Sequence, residues 1–149
     1  YKRQALLNAL IYKRPAPVQS VDELPNGMDA VYDREQNAVF VRRGLSANDL
    51  FCGLSKALAQ AELARTGEEY TEENAGFKAH CVSYILGKEF GVEVSGYAFE
   101  APADFLCTDD PQTIRAELTD IRDTAYDISA RMMRSLEQSK APRQSEQER

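Results

Sequence analysis

The chain has 149 residues, 43% of them hydrophobic and 28% charged, which is the size and composition of one soluble globular domain. Its formal net charge of -6 disfavours nucleic acid as a partner of this domain alone, because nucleic-acid binding normally needs a basic patch. No apolar run has membrane-spanning length and the cysteines show no paired spacing, so we expect a cytoplasmic protein with no membrane partner. Because residue 1 is tyrosine and not methionine, we expect an excised piece of a longer polypeptide.

The first half of the chain predicts two helices separated by a β-hairpin. Leucine and isoleucine at three- and four-residue spacings predict a short amphipathic helix over residues 2–12, which prolines then end. Residues 30–32 and 38–41 are rich in β-branched and aromatic side chains and flank a polar turn, which favours a hairpin. Ser46 is a suitable N-cap for the next helix, and Gly67 is a suitable residue to end it.

The second half of the chain predicts two more helices. Thr71 is a suitable N-cap for a helix that is apolar around much of its circumference and ends at Gly91, so we expect this helix to be central and buried. Asp110, followed by proline, predicts the start of a long helix. Apolar residues recur there at alternating spacings of four and three over residues 114–136. The polar residues 139–149 predict a disordered tail.

These elements predict an α+β fold in a single domain over residues 1–138. It consists of a small β-hairpin or sheet packed with three to four helices, of which the C-terminal one is long. The apolar seam of that last helix has two interpretations. Packing on its own domain is the commoner use of such a seam, but seven-residue spacing also suits pairing with another chain, so residues 114–136 permit an oligomer.

The helix after Ser46 carries the most informative pattern, Leu-Ser-Lys-Ala-Leu-Ala-Gln-Ala-Glu-Leu at residues 54–63. Three later stretches accompany it: Ala-His-Cys-Val-Ser-Tyr-Ile at residues 79–85, Phe-Gly-Val at 90–92 and Tyr-Ala-Phe at 97–99. In order and spacing, these stretches resemble the zincin-like metallopeptidase domains of conjugative and phage-like mobile elements, which are often linked to antirestriction proteins. The resemblance runs from about residue 30 to residue 133 and implies a zincin-like fold.

The resemblance also implies where the catalytic groups of such an enzyme would lie. A zincin needs His-Glu-x-x-His, with two imidazoles one helical turn apart and a carboxylate beside the first. Lys56 and Gln60 occupy the histidine positions, Ala57 occupies the glutamate position, and Gly76 and Phe77 lie in the region of the family's acidic third ligand. An ammonium group has no lone pair for zinc and alanine cannot take a proton from water. We therefore expect vestigial positions with no catalytic residue, no metal ligand and no cofactor.

The function that the resemblance implies is a non-catalytic binding or structural module, a metallopeptidase-like pseudoenzyme within a larger mobile-element protein. We expect a protein as its partner, because the chain is acidic and shows no cofactor motif. The alternative is a repurposed enzyme or an antirestriction-type inhibitor that uses the vestigial cleft, where Lys56, Glu73 and His80 would meet. A simpler interpretation makes Lys56 and Gln60 a solvated helix face. A lone histidine such as His80 is also more often a hydrogen-bonded structural residue than a ligand.

Overall fold

The computed structural model of the protein describes residues 2–66, 72–97 and 110–147, and within these ranges the side chains of 66, 72, 73 and 139–147 are excepted. The described elements, in chain order, are α1 (Arg3–Ile11), β1 (Val18–Val21), β2 (Ala30–Asp33), β3 (Ala38–Arg42), α2 (Ala47–Thr66), α3 (Glu72–Phe90) and α4 (Pro111–Gln147). The predicted α+β class is confirmed, with a small sheet, packed helices and a long last helix. The predicted helix end at Gly67 and N-cap at Thr71 lie outside the described residues.

The sheet has the strand order β1-β3-β2. The predicted hairpin is confirmed, since β2 and β3 pair antiparallel with Val31 opposite Phe40. Its turn is held by Asp33, whose carboxylate accepts hydrogen bonds from the backbone N–H groups of Glu35 and Gln36. The third strand, β1, lies parallel to β3 and is not predicted by the sequence pattern.

The predicted helix starts are confirmed where the structure describes them. The Ser46 hydroxyl accepts a hydrogen bond from the Asp49 backbone N–H at 3.1 Å, which satisfies one of the free donors at the start of α2. The Asp110 carboxylate accepts one from the Gln112 N–H at 3.1 Å at the start of α4. Gly91 follows the end of α3 with φ +73°, the left-handed conformation that glycine adopts without strain.

Helix α3 lies between α2 and α4 and packs on both. It runs parallel to α4, because Lys78 bonds Asp120 near the start of both helices and Glu89 bonds Ser129 about as far along each. As predicted, α3 is largely buried, with Ala79, Val82 and Leu86 fully inaccessible to solvent. No strand occurs among residues 92–97, the described part of the stretch that follows α3.

The seam of α4 packs on its own domain. Ile121, Ile128, Met132 and Leu136 are buried in the common core, and α4 contacts α1 and α2 as well as α3. The backbone continues as helix to Gln147, whereas the composition predicts a disordered tail from residue 139. Among the helices of the described ranges, none has the length and apolarity that crossing a membrane requires.

Candidate functional site

Two contacts fix how α2 and α3 face each other. The Ser55 and Ser83 hydroxyl oxygens are 2.6 Å apart, and the Gln60 Nε2 atom is 3.7 Å from the place that a Cβ on Gly76 would occupy. The earlier residue of α2, Ser55, meets the later residue of α3, Ser83, and Gln60 lies near Gly76. The two helices therefore run antiparallel. Two of the positions singled out in the sequence, Gln60 and the third-ligand region at Gly76, are therefore neighbours in space.

Lys56 lies one helical turn before Gln60 and is half-buried. Burial lowers the pKa of its ammonium group, because the low-dielectric surroundings disfavour the charged form. It forms no ion pair with another residue of the described ranges, and the side chain of its suggested partner Glu73 lies outside them. Lys56 lies where the resemblance places the first imidazole of a zinc site, and a protonated ammonium group has no lone pair for zinc.

Ala57 does not face an open cleft. Its exposed fraction is 2%, and it belongs to the main apolar core. The reason is the alanine-rich composition of the two helices: Ala57 and Ala61 lie one turn apart on α2, as do Ala75 and Ala79 on α3, and all four are buried. Such small side chains allow helices to approach closely. Of the three vestigial positions, Ala57 is therefore a residue of the core.

His80 has an aromatic neighbour. Its ring stacks on that of Tyr97, with ring centres 4.9 Å apart and an interplanar angle of 25°. Tyr84 meets the same tyrosine edge-on at 5.8 Å. This stacking gives His80 a structural contact, in line with the simpler interpretation of a lone histidine. Over the described ranges, no group of three histidine, cysteine, aspartate or glutamate residues is arranged to hold a metal ion.

A buried hydroxyl network joins α2, α3 and the segment after α3. The Ser55 and Ser83 oxygens each lie 3.1 Å from the Cys52 carbonyl oxygen, which accepts from them. The Tyr97 hydroxyl hydrogen-bonds Ser83, and burial raises the pKa of Tyr97 far above its usual range, so it stays a neutral phenol. These serine partners are hydroxyls and a carbonyl, none of which is a base at neutral pH. The network therefore ties α2, α3 and the segment after α3 together.

The network is a feature that sequence reasoning missed. Ser55 and Ser83 are fully buried, although serine in a helix is ordinarily taken as a surface residue. Their spacing from Cys52, three residues for Ser55, matches the local pattern in which a serine hydroxyl bonds a preceding backbone carbonyl. That local signal could have marked Ser55 alone. Cys52 itself is half-buried, and burial raises the pKa of its thiol, so it is protonated and unreactive.

Ion pairs attach α4 to the other helices. The Lys78 ammonium, on a residue only 8% exposed, lies 2.6 Å from Glu117 and 3.1 Å from Asp120. Burial by itself would lower the pKa of Lys78, but hydrogen bonds and the negative charges of Glu117 and Asp120 outweigh it and raise the pKa. Glu62 and Arg131 form a second pair at 3.7 Å, between α2 and α4. Lys78 is thus charged, and its ion pairs with Glu117 and Asp120 attach α3 to α4.

An apolar groove of about 510 Å³ lies between α3 and α4, beyond the Lys78 ion pairs. Its lining includes three large hydrophobic side chains that are unusually exposed: Ile85 at 40%, Leu118 at 49% and Tyr126 at 72%. Glu89 on α3 and Arg122 on α4 bring opposite charges to its two walls. Exposed apolar surface gathered in one groove is typical of a contact surface for another macromolecule. The sequence indicates Leu118 as part of the seam but not the groove.

Comparison of the chain with protein-family models, with curated proteins and with solved structures finds no match in any of the three. The zincin-like resemblance is thus neither supported nor opposed by relatives and stays a prediction. The function of the domain has to be inferred from the α2–α3 contact and the α3–α4 groove themselves.

Proposed function

We propose that this domain is a metal-free, non-catalytic relative of zincin-like metallopeptidases that acts as a binding or structural module in a larger mobile-element protein. The observation that supports the proposal best is the proximity of Gln60 to Gly76. In the family that the sequence resembles, the second histidine of the helix motif and the acidic third ligand converge on one ion. The positions that the resemblance assigns to these two ligands, Gln60 and Gly76, are neighbours here, although neither residue can supply a strong ligand.

The chemistry of the remaining position agrees with a lost metal site. Lys56 lies one turn from Gln60 and carries an ammonium group where the first imidazole would stand. A cation at that position opposes a second cation, because like charges repel strongly where burial lowers the dielectric constant. The buried Ala57 supplies no general base. Hydrolysis assisted by zinc is therefore absent from the proposed function.

A protein is the expected partner, and the α3–α4 groove is the surface that suits one. The groove is apolar, about 510 Å³ in volume and bordered by exposed hydrophobic side chains. Burial of apolar surface drives most protein–protein association. The α2–α3 interface, by contrast, is filled with small buried side chains and hydroxyls, so it serves the fold.

The experiment restores the ligand set without disturbing the core. The triple variant Lys56→His, Gln60→His, Gly76→Asp leaves Ala57 unchanged. Two histidines at i and i+4 lie on one helix face. A Cβ at position 76 fits, because its nearest neighbour, the Gln60 Nε2 atom, would be 3.7 Å away. We expect zinc to raise the stability of this variant by about 2.7 kcal/mol at a hundredfold excess over the dissociation constant. Thermal melting with and without zinc measures the effect.

Two controls separate a reconstituted site from ordinary histidine–zinc contacts. The pair Lys56→His, Gln60→His should bind zinc more weakly, because it lacks the third ligand. The matched pair Arg134→His, Gln138→His has the same spacing on an exposed face of α4. If the triple variant binds zinc no more tightly than that surface pair, the ancestry inferred for these positions is wrong. Stoichiometric zinc in wild-type protein purified without chelator would overturn the proposed metal-free function itself.

A further inference from the structure

The α3–α4 groove contains both a recess and a projecting side chain. Ile85, Ile121 and Ala125 form apolar walls, while Tyr126 stands at the rim with 72% of its surface exposed. An aromatic ring that inserts into a desolvated recess is the commonest kind of strong contact in protein interfaces. A surface that offers both parts can serve as both partners of one interface.

The charges of the groove have the same self-complementary character. Glu89 lies on the α3 wall and Arg122 on the α4 wall. Within the chain Glu89 accepts a hydrogen bond from Ser129, and Arg122 pairs with its neighbour Asp123 at 3.1 Å. When two copies are related by a twofold axis, each contact occurs twice, with i meeting j and j meeting i. In the arrangement that brings the Arg122 of each copy to the Glu89 of the other, this pair of opposite charges forms twice.

The helices also suit such pairing. Leu118, Arg122, Tyr126 and Ser129 recur along α4 at steps of four, four and three residues, so they form one stripe beside the buried seam. The stripe lies on a helix that continues well past the groove, to Gln147. Two such stripes laid antiparallel, with α3 flanking each, make a four-helix arrangement whose apolar layer is shared between copies.

We infer that the occupant of the α3–α4 groove is a second copy of this chain, and that the domain forms a twofold-symmetric dimer in which Tyr126 of each copy enters the groove of the other. The dimer uses the exposed stripe of α4 and the groove beside it, and not the seam residues Ile128 and Met132, which the core of the same chain buries. This inference is independent of the vestigial zinc site and holds whether or not the proposed function is correct.

Charge reversal with rescue is the sharpest test of the dimer. Arg122→Glu places the new carboxylate opposite Glu89 of the other copy at both ends of the twofold interface. Because like charges in contact oppose pairing, the association constant should fall at least about tenfold. Glu89→Arg should do the same. The double variant that carries both changes restores complementary pairs and should recover association, and a mixture of the two single variants should form a heterodimer. Analytical ultracentrifugation over a dilution series measures each case.

Arg134→Glu is the matched control, because it makes the same charge change at an exposed position of α4 outside the groove. It should leave association unchanged. A second readout uses the absence of tryptophan from the chain. In the variant Tyr126→Trp the single indole should show emission that shifts to the blue as concentration rises, because the ring leaves water on pairing, and Arg122→Glu should abolish that shift.

Three outcomes overturn the inference. A wild-type chain that remains monomeric up to about 1 mM, the range of the weakest specific contacts, leaves the groove to a different protein. A dimer that is indifferent to both Arg122→Glu and Glu89→Arg uses another surface. Loss of association in the control Arg134→Glu to the same extent as in Arg122→Glu means that net charge, and not the groove, governs pairing.

Discussion

The two sides of α3 are constructed differently. Toward α2 the contact is closely packed: small side chains fill it, and the Ser83 and Ser55 hydroxyl oxygens are 2.6 Å apart. Toward α4 the contact is ionic where Lys78 meets two acids, and then opens into a groove with exposed apolar walls. We therefore propose a structural role for the α2 side and a binding role for the α4 side, although the sequence motif lies on the α2 side.

Among changes in the α2–α3 contact, Ala57→Glu should destabilise the fold most. The change forces a carboxylate into a site that is 2% exposed. We expect a loss of at least about 3 kcal/mol in the free energy of unfolding, because an unpaired charge is buried and small neighbours are overpacked. Urea denaturation measures the loss. Ala116→Glu, on an exposed part of α4, is the control and should change stability by no more than about 0.5 kcal/mol. A similar small loss for Ala57→Glu would mean that the position opens to a cleft.

In the α3–α4 contact, replacing Lys78 should cause the largest loss of stability. Lys78→Met leaves two acids without their buried counter-charge, so we expect the free energy of unfolding to fall by about 3 kcal/mol. The control Lys88→Met, at an exposed position, should lower it by less than about 0.5 kcal/mol.

The contribution of Lys78 to stability depends on pH with a definite sign. Because the folded pKa of Lys78 is raised, its contribution is fully present below the unfolded pKa of about 10.4 and is lost as pH rises through the folded value. Equal losses for both variants would contradict a special role for this ion pair.

Ser83→Ala should have a smaller effect on the α2 side. The variant removes the hydroxyl between Ser55 and Tyr97 while keeping a good helix former, so the expected loss is about 2 kcal/mol. Ser135→Ala, on a half-buried position of α4, serves as the comparison. Hydrogen exchange should show faster opening of residues 92–97, since Tyr97 loses a bond that ties this segment to α3. Unchanged exchange there would show that the network does not hold the segment.

The smallest effect, and the only gain, is expected at Lys56. Lys56→Met removes a half-buried charge that forms no ion pair within the described ranges, and should stabilise the fold by about 1 kcal/mol at neutral pH. Its folded pKa is lowered, so the cost is present below the folded value and disappears as pH rises from there to the unfolded value. The advantage of the variant should therefore shrink at alkaline pH. A destabilised variant would indicate that Lys56 has an anionic partner.

Local signals in the sequence predict local structure well here. The caps at Ser46 and Asp110 and the hairpin around Asp33 each depend on side chains that bond their own neighbours, so residue type and order suffice to predict them. The α+β class follows from the same signals. The candidate site is different, because its neighbours come from distant parts of the chain.

Three features escape prediction for that reason. The strand β1 has only two apolar residues in four. It is a strand because it pairs with β3, and no local sequence pattern predicts that pairing. Ser55 and Ser83 resemble surface serines until the helices are placed together. Lys78 is indistinguishable by sequence from a solvated lysine, although it is among the most buried charged residues described. Each owes its role to a partner far along the chain.

The position of α1 and β1 has a consequence for the order in which the domain is made. β1 completes the sheet beside β3, and α1 packs on α4, with Leu6 and Leu10 fully buried. The α1–α4 contact joins segments separated by roughly a hundred residues, so its loop-closure entropy is large and it forms after the local hairpin. During synthesis on the ribosome, α1 can contact α2 early, but the face of α1 that packs on α4 stays uncovered until α4 has emerged. The nascent chain is most exposed to aggregation and to chaperones during that interval.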